Sequence, residues 1–362
     1  MPGTGKKVLF LLPYPAGRAP SQRFRVENLL FLLDAAGIRY TLRPFMTPAV
    51  WEVLYKGGSL PQKAAGIVNG YLRRWKTLLT EARHYDWVFI HREAAPLGPP
   101  LFEWYLKKVL GKKIIYDFDD AIWIPNTSAQ NRLAASLKAF WKVGRICRWS
   151  HAVVGGNDYL CRFAQEQGAS QVRRIPTVVD TAQRYNQLKQ HHDGKVTVGW
   201  TGSHSTLKYL DEVLPVIARL QEDLDFTFLV IADKKPELSL RDWRFVPWNA
   251  TTEIEDLLQI DIGLMPLTAD PWSEGKCGFK LIQYLSLGIP AVASPVGVNK
   301  DIVVPGENGF LAQTAADWEL ALRQLIADAG LRRQLGAAGR QTIENQYSIT
   351  ANAATFLNLF ES

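Results

Sequence analysis

Residues 261–300 read DIGLMPLTADPWSEGKCGFKLIQYLSLGIPAVASPVGVNK. Residues 262–267 are a short apolar run of the length of a buried strand, with Pro266 near its end. A polar, glycine-containing loop follows over 268–278. Residues 279–287 carry a helical pattern stopped by Gly288 and Pro290, and 291–293 make a second buried strand. Strand, loop, helix and strand describe a parallel α/β sheet, with the helix start at the carboxyl end of the first strand. Ligands of such sheets bind there, because backbone N–H groups and the helix dipole meet an anion. Lys276 and Lys280 add positive charge at that point. The stretch predicts a phosphate seat.

The alternation continues on both sides. Upstream, strands are expected at 196–200, 226–231 and 243–246, with helices at 206–221 and 252–258; downstream, helices follow at 318–327 and 331–347. The first half repeats the scheme, with strands at 7–12, 38–42, 87–90, 113–116, 152–154 and 172–175. Its helices are expected from a Ser21 cap to about residue 36, at 60–83, 101–110 and 129–149, and from Asn157. Residues 176–194 are polar and weakly periodic, as in a linker. A chain of 362 residues has the length of two domains.

Composition is that of an ordinary soluble protein. Three cysteines, Cys147, Cys161 and Cys277, have neither metal-site nor disulfide spacing, which favours a reducing, cytoplasmic compartment. Residues 8–12 are too short an apolar run for a secretion signal, and no stretch approaches the ~20 apolar residues of a spanning helix. Gly3-Thr4-Gly5-Lys6 precedes a strand instead of following one, so it lacks the context of a phosphate loop. Net charge is +7, but residues 1–185 carry 27 Lys+Arg against 13 Asp+Glu. A basic first half points to an anionic surface or substrate.

The 261–300 stretch resembles the donor-sugar motif of retaining family 4 (GT4-like) glycosyltransferases of the GT-B fold. In that motif a Glu, seven residues and a second Glu precede a small-residue helix end, Gly-x-Pro and an apolar strand. Counting back from Gly288 and Pro290, the second Glu falls on Gln283 and the first on Gly275, with Glu274 one residue away. The stretch is closer to a branch reading Gly-Lys-Cys-x-x-Lys, here Gly275-Lys276-Cys277 and Lys280. The resemblance covers nearly the whole chain. It implies an α/β fold of two Rossmann-like domains facing across a cleft, an acceptor domain over 1–185 and a donor domain over 186–347, with 348–362 crossing back onto the first. It implies transfer of a sugar, with retention, from a nucleotide-diphosphate sugar to an acceptor hydroxyl. Front-face chemistry would need no carboxylate nucleophile, no metal and no cofactor besides the donor.

Each candidate residue has two readings. The turn at 198–203 brings Gly202 and Ser203 to a phosphate, with Ser205 or Thr206 capping the next helix, or is a plain βα turn. Lys280, in a first helical turn, is a cation against the dipole, and so either faces a bound anion or is a solvated surface lysine. Gln283 meets ribose hydroxyls or is a surface polar group, and the base is expected near Trp248. Gly17 and Arg18, in the first βα loop with Arg23 and Arg25 beyond, suit a diphosphate or a solvated face. His91 ends a strand and either donates to a sugar hydroxyl or packs. Asp117, Asp119 and Asp120 repel one another unless water, metal or ligand intervenes; acceptor binding by Asp119 and Asp120 is preferred to a metal site.

A nucleotide-sugar 2-epimerase, or a protein that only binds nucleic acid, are the other readings. The first lacks a use for a basic acceptor half and the second leaves the lysine loop unexplained, so no nucleic-acid partner is expected. Basic residues alternate with aromatics at Arg73-Arg74-Trp75-Lys76 and over 138–149. That pattern suits an anionic membrane surface and a glycan or lipid-linked acceptor, with the protein peripheral on the inner face of the membrane.

Overall fold

The computed structural model describes residues 5–54, 60–125 and 138–361. The chain forms two compact units, Met1–Pro176 with Ala353–Ser362, and Thr177–Asn352. Each is built on a parallel sheet of six strands with helices between them, the architecture of two Rossmann-like domains.

In the first unit β1 (Lys7–Leu12), β2 (Arg39–Pro44), β3 (Trp87–His91), β4 (Lys113–Phe118), β5 (Ala152–Gly155) and β6 (Val172–Arg174) lie in the order 2-1-3-4-5-6. β3 is buried at every position, as a strand covered by helices on both faces must be. The sheet order reverses at β1, so the loops after β1 and β3 open at the switch point where such sheets bind ligands. The first helix starts at Pro20, whose fixed φ suits a first turn, with Ala19 and not Ser21 at the cap. It stops at Arg25, where Val26 leaves helical geometry. The helix expected at 101–110 is α-helical over Leu101–Trp104 and continues in π geometry over Tyr105–Val109. Of the helix expected at 129–149, Lys142–Trp149 is present and residues 129–137 lie outside the described residues.

The second unit has β7 (Val196–Gly202), β8 (Phe226–Ala232), β9 (Trp243–Pro247), β10 (Ile262–Met265), β11 (Ala291–Ala293) and β12 (Gly309–Leu311) in the order 12-11-10-7-8-9. Here the order reverses at β7 and β10, which pair through Gly263 and Gly199. A Cβ on Gly263 would stand 2.3 Å from the ring of Tyr284. That tyrosine comes from the helix Phe279–Ser286, and its hydroxyl accepts the Thr201 N–H at 2.9 Å. The helix following β7 is 3₁₀ over His204–Glu212 and α over Leu214–Asp223, because Pro215 starts a new first turn.

Residues 177–194 do not behave as a linker. Val178, Val179 and Tyr185 are buried, Val179 bridges Ser348, and the Lys189 N–H donates to Leu287 O at 2.8 Å. The division therefore falls after Pro176 instead of after residue 185. The return to the first unit falls at Ala353, not residue 348. There Phe356 packs on Phe89 (centroids 6.5 Å), Phe360 on Trp87 (6.3 Å), and Lys6 Nζ donates to Phe360 O at 2.7 Å.

Candidate active site

In the second unit the expected phosphate seat lies at the sheet's switch point. Gly278, with φ +65°, caps the helix Phe279–Ser286, and its missing Cβ leaves room for Ile302, whose Cδ1 would stand 2.2 Å away. Lys280 therefore occupies the second position of that helix. Its Nζ lies 5.3 Å from the ring centroid of Trp200, and Lys276 Nζ lies 5.6 Å from that of Trp272 and 6.0 Å from that of Tyr209. Trp200 folds beneath the Gly202 turn, where a Cβ would meet its ring at 2.4 Å. One indole thus joins the loop after β7 to the helix after β10. Aromatic faces stabilise ammonium groups without neutralising them. Thr206 is the residue that ties the turn: its Oγ1 accepts the Ser203 N–H at 3.2 Å and donates to Ser203 O at 2.9 Å. Ser203 stays exposed, with its hydroxyl 2.8 Å from that of Ser205. Glu274 ends the short helix Pro271–Glu274 just before Lys276.

Gln283 and Trp248 belong to a second cluster of this unit, organised by a residue the sequence reading missed. Glu253 is buried; its Oε1 accepts the Trp248 indole N–H at 3.2 Å and its Oε2 accepts from Arg184 at 2.8 Å. Tyr185 OH lies 3.5 Å from the same Oε2 and accepts the Gln283 amide at 2.9 Å. Gln283 is accordingly buried and not a surface polar group.

In the first unit the expected carboxylates are not left to repel one another. Asp117 lies within β4, and it takes an ion pair from Arg25 and a 2.7 Å bond from His91 Nδ1. His91 is fully buried, and its Nε2 lies 3.4 Å from Ser21 Oγ. The strand end thus gives the imidazole a packed, hydrogen-bonded place instead of an open one. Arg92 takes the left-handed conformation (φ +58°), uncommon for a side-chain-bearing residue. It is held there by its N–H to Asp117 O at 2.7 Å and by Tyr116 OH to its carbonyl at 2.7 Å. The guanidinium then reaches Asp119 through Nε at 2.7 Å and also pairs with Asp120. Burial pushes the Asp119 carboxyl up, but Arg92, with His91 and Arg25 behind it, outweighs burial and holds it at about 2. Two arginines therefore do the work for which the sequence suggested water, metal or ligand. No group of three or more His, Cys, Asp or Glu among the described residues could hold a metal ion.

The three early arginines separate. Arg18 is exposed and 3.7 Å from Glu52, Arg23 is buried against Phe24, and Arg25 serves Asp117. Gly17, with φ +75°, gives its N–H to Glu27 at 2.8 Å. The basic and aromatic residues of the helix Leu60–Thr80 separate as well. Arg74 is buried and donates to the carbonyls of Ala94, Arg43 and Leu12. Burial pulls its pKa down to about 9, still charged at neutral pH. Lys142 is likewise internal, on Ala95 O and Glu93. No helix among the described residues is long and apolar enough to cross a membrane.

Residues 195–328 match the family model described as glycosyl transferases group 1. A putative teichuronic acid biosynthesis glycosyltransferase of Bacillus subtilis (strain 168) is 23% identical over 230 residues, 55% of this chain and 53% of that protein. The chain thus matches about half the length of that curated relative. Sucrose-phosphate synthase from Thermosynechococcus elongatus superposes with a TM-score of 0.73 at 15% identity, covering 98% of both chains. HepE of Anabaena, solved in complex with UDP-glucose, superposes with a TM-score of 0.66 at 16% identity, covering 98% of this chain and 99% of its own. At these identities the structures establish the fold, two Rossmann-like domains of the GT-B type, and the family model covers most of the second unit.

Proposed function

We propose that the protein is a glycosyltransferase that moves a sugar, with retention, from a nucleotide-diphosphate sugar to an acceptor hydroxyl. The observation that carries the reading is the pair Lys276 and Lys280, held over aromatic rings at the start of the helix Phe279–Ser286 and joined through Trp200 to the Gly202 turn. As the glycosidic bond breaks, negative charge grows on the departing diphosphate. Fixed cations and a helix N-terminus stabilise that charge without having to reorganise. The diphosphate accordingly meets Gly202, Ser203, Lys276 and Lys280, the ribose lies toward Gln283 and Glu274, and the base toward Trp248. In the first unit the groups at the ends of β3 and β4, Asp119 and Asp120 with His91 behind them, orient the acceptor. No metal takes part in the chemical step. The acceptor is a lipid-linked glycan met at the inner face of a membrane; the Bacillus relative's name, in teichuronic acid biosynthesis, supports a polymer-building role.

Thermal-shift measurement against UDP-, GDP-, ADP- and dTDP-sugars tests this. One donor at ~100 Kd should stabilise the protein by ~2.7 kcal/mol. Transfer should persist in EDTA, and NMR of the product should show the anomeric configuration of the donor. Indifference to every nucleotide sugar would refute the reading.

A further inference from the structure

We propose that three neighbouring helices of the first unit form the face by which the protein lies on an anionic lipid bilayer. The inference rests on the membrane-acceptor reading above and gives it a location. The helices are Leu60–Thr80, Leu101–Trp104 with its continuation Tyr105–Val109, and Lys142–Trp149. Trp75 packs on Phe102 and Tyr105 (5.0 and 5.6 Å), setting the first two side by side, and Leu101–Trp104 also touches Lys142–Trp149.

Charge is the first argument. Net charge alone is a poor guide, because Arg74 and Lys142 point inward. What distinguishes these three helices is that they offer no exposed acid among the described residues. The helices Leu60–Thr80 and Lys142–Trp149 contain neither Asp nor Glu. Glu103 is buried and accepts the Ala94 N–H at 3.1 Å. The flanking acids are engaged, Glu81 by Arg43 at 2.7 Å and Glu93 by Lys142 at 2.9 Å. Arg73, Lys76, Lys108 and Arg145 meanwhile stay exposed.

Apolar exposure is the second. Val68, Leu72 and Leu79 fall on one side of their helix at steps of four and seven, and are 57%, 63% and 56% exposed. Trp104 and Trp141 are 45% and 52% exposed, and the Arg145 guanidinium stands 4.5 Å from the Trp141 ring centroid. A second copy of the chain would suit the leucines, but a two-fold contact would press these cations against their own equivalents. Nucleic acid would use the cations but not the aliphatic side chains. A bilayer uses both, with leucine and tryptophan at the acyl boundary and cations at the headgroups.

The test is co-sedimentation of the full chain with phosphatidylcholine vesicles containing graded phosphatidylglycerol, without donor or acceptor, so that it stands apart from the donor thermal shift. Binding should rise with anionic content and fall with salt. Lys76→Glu with Lys108→Glu should lower partitioning at least about tenfold, and Leu72→Ser with Trp104→Ser should lower the part that survives at high salt. Both variants should keep the wild-type donor thermal shift. No binding at low salt, or equal binding by the charge-reversed variant, would overturn the proposal. So would a stable dimer in which these tryptophans are shielded. Donor binding lost with vesicle binding intact would refute the function and leave this face standing.

Discussion

Lys280 stands where a helix dipole disfavours a cation, and it is held over an indole within reach of the β7 turn. Lys280→Ala should weaken donor binding at least tenfold by titration calorimetry. Stability should stay within about 0.5 kcal/mol, as for a surface substitution. Equal affinity would make it an ordinary surface lysine. Asp119 gives the acid-side counterpart. Its folded pKa of about 2 lies below the ordinary carboxylate value of 3.8, so the stabilisation is complete above about pH 4 and is lost as pH falls through 2. The difference amounts to about 2 kcal/mol. Asp119→Asn should be less stable by about that much at pH 6, and the gap to wild type should close by pH 2 in urea titrations. A gap independent of pH would show that Arg92 does not set this carboxyl. The strand-end positions of His91, Asp119 and Asp120 were legible because a short apolar run followed by polar residues marks where a strand stops. Their partners were not. Arg25 and Asp117 are 92 positions apart, and only the sheet order, with β1 beside β3 and β3 beside β4, brings them together.

Among the elements, the helix Phe279–Ser286 depends on Gly278. Ala there would have to adopt φ +65° and force its Cβ within 2.2 Å of Ile302. Gly278→Ala should destabilise the second unit by roughly 2–4 kcal/mol, the sum of left-handed strain and overpacking. It should also weaken donor binding, because the helix start would shift. Wild-type stability in urea denaturation would contradict that packing. The strand–loop–helix–strand reading of 261–300 located these elements to within about two residues because apolar runs there are cut off sharply by a polar loop and by Gly288 and Pro290. The short strand β12 and the reshaping after β7 escaped it. Gly309–Leu311 is too short to show a period, and Pro215 resets a helix whose hydrophobic spacing runs straight through. The helix Leu60–Thr80 shows the converse limit. Its period was legible, yet a buried Arg74 that satisfies three carbonyls looks the same in sequence as a solvated one.

Across the whole molecule, the first unit is discontinuous, since residues 353–361 pack back onto β3. Phe356→Ala should destabilise that unit by about 3–5 kcal/mol, the cost of truncating a buried phenylalanine. In calorimetry this should split the melt, one transition moving down while the one assigned to the second unit stays put. A shared, unmoved transition would contradict it. The same feature bears on synthesis. The aromatic plug of the first unit leaves the ribosome only after the 176 residues of Thr177–Asn352, a wait on the order of 10–35 s at translation rates of ~5–20 residues per second. During that interval Trp87 and Phe89 have no Phe356 or Phe360 to cover them, so the nascent first unit is a natural client for chaperones that hold exposed apolar surface.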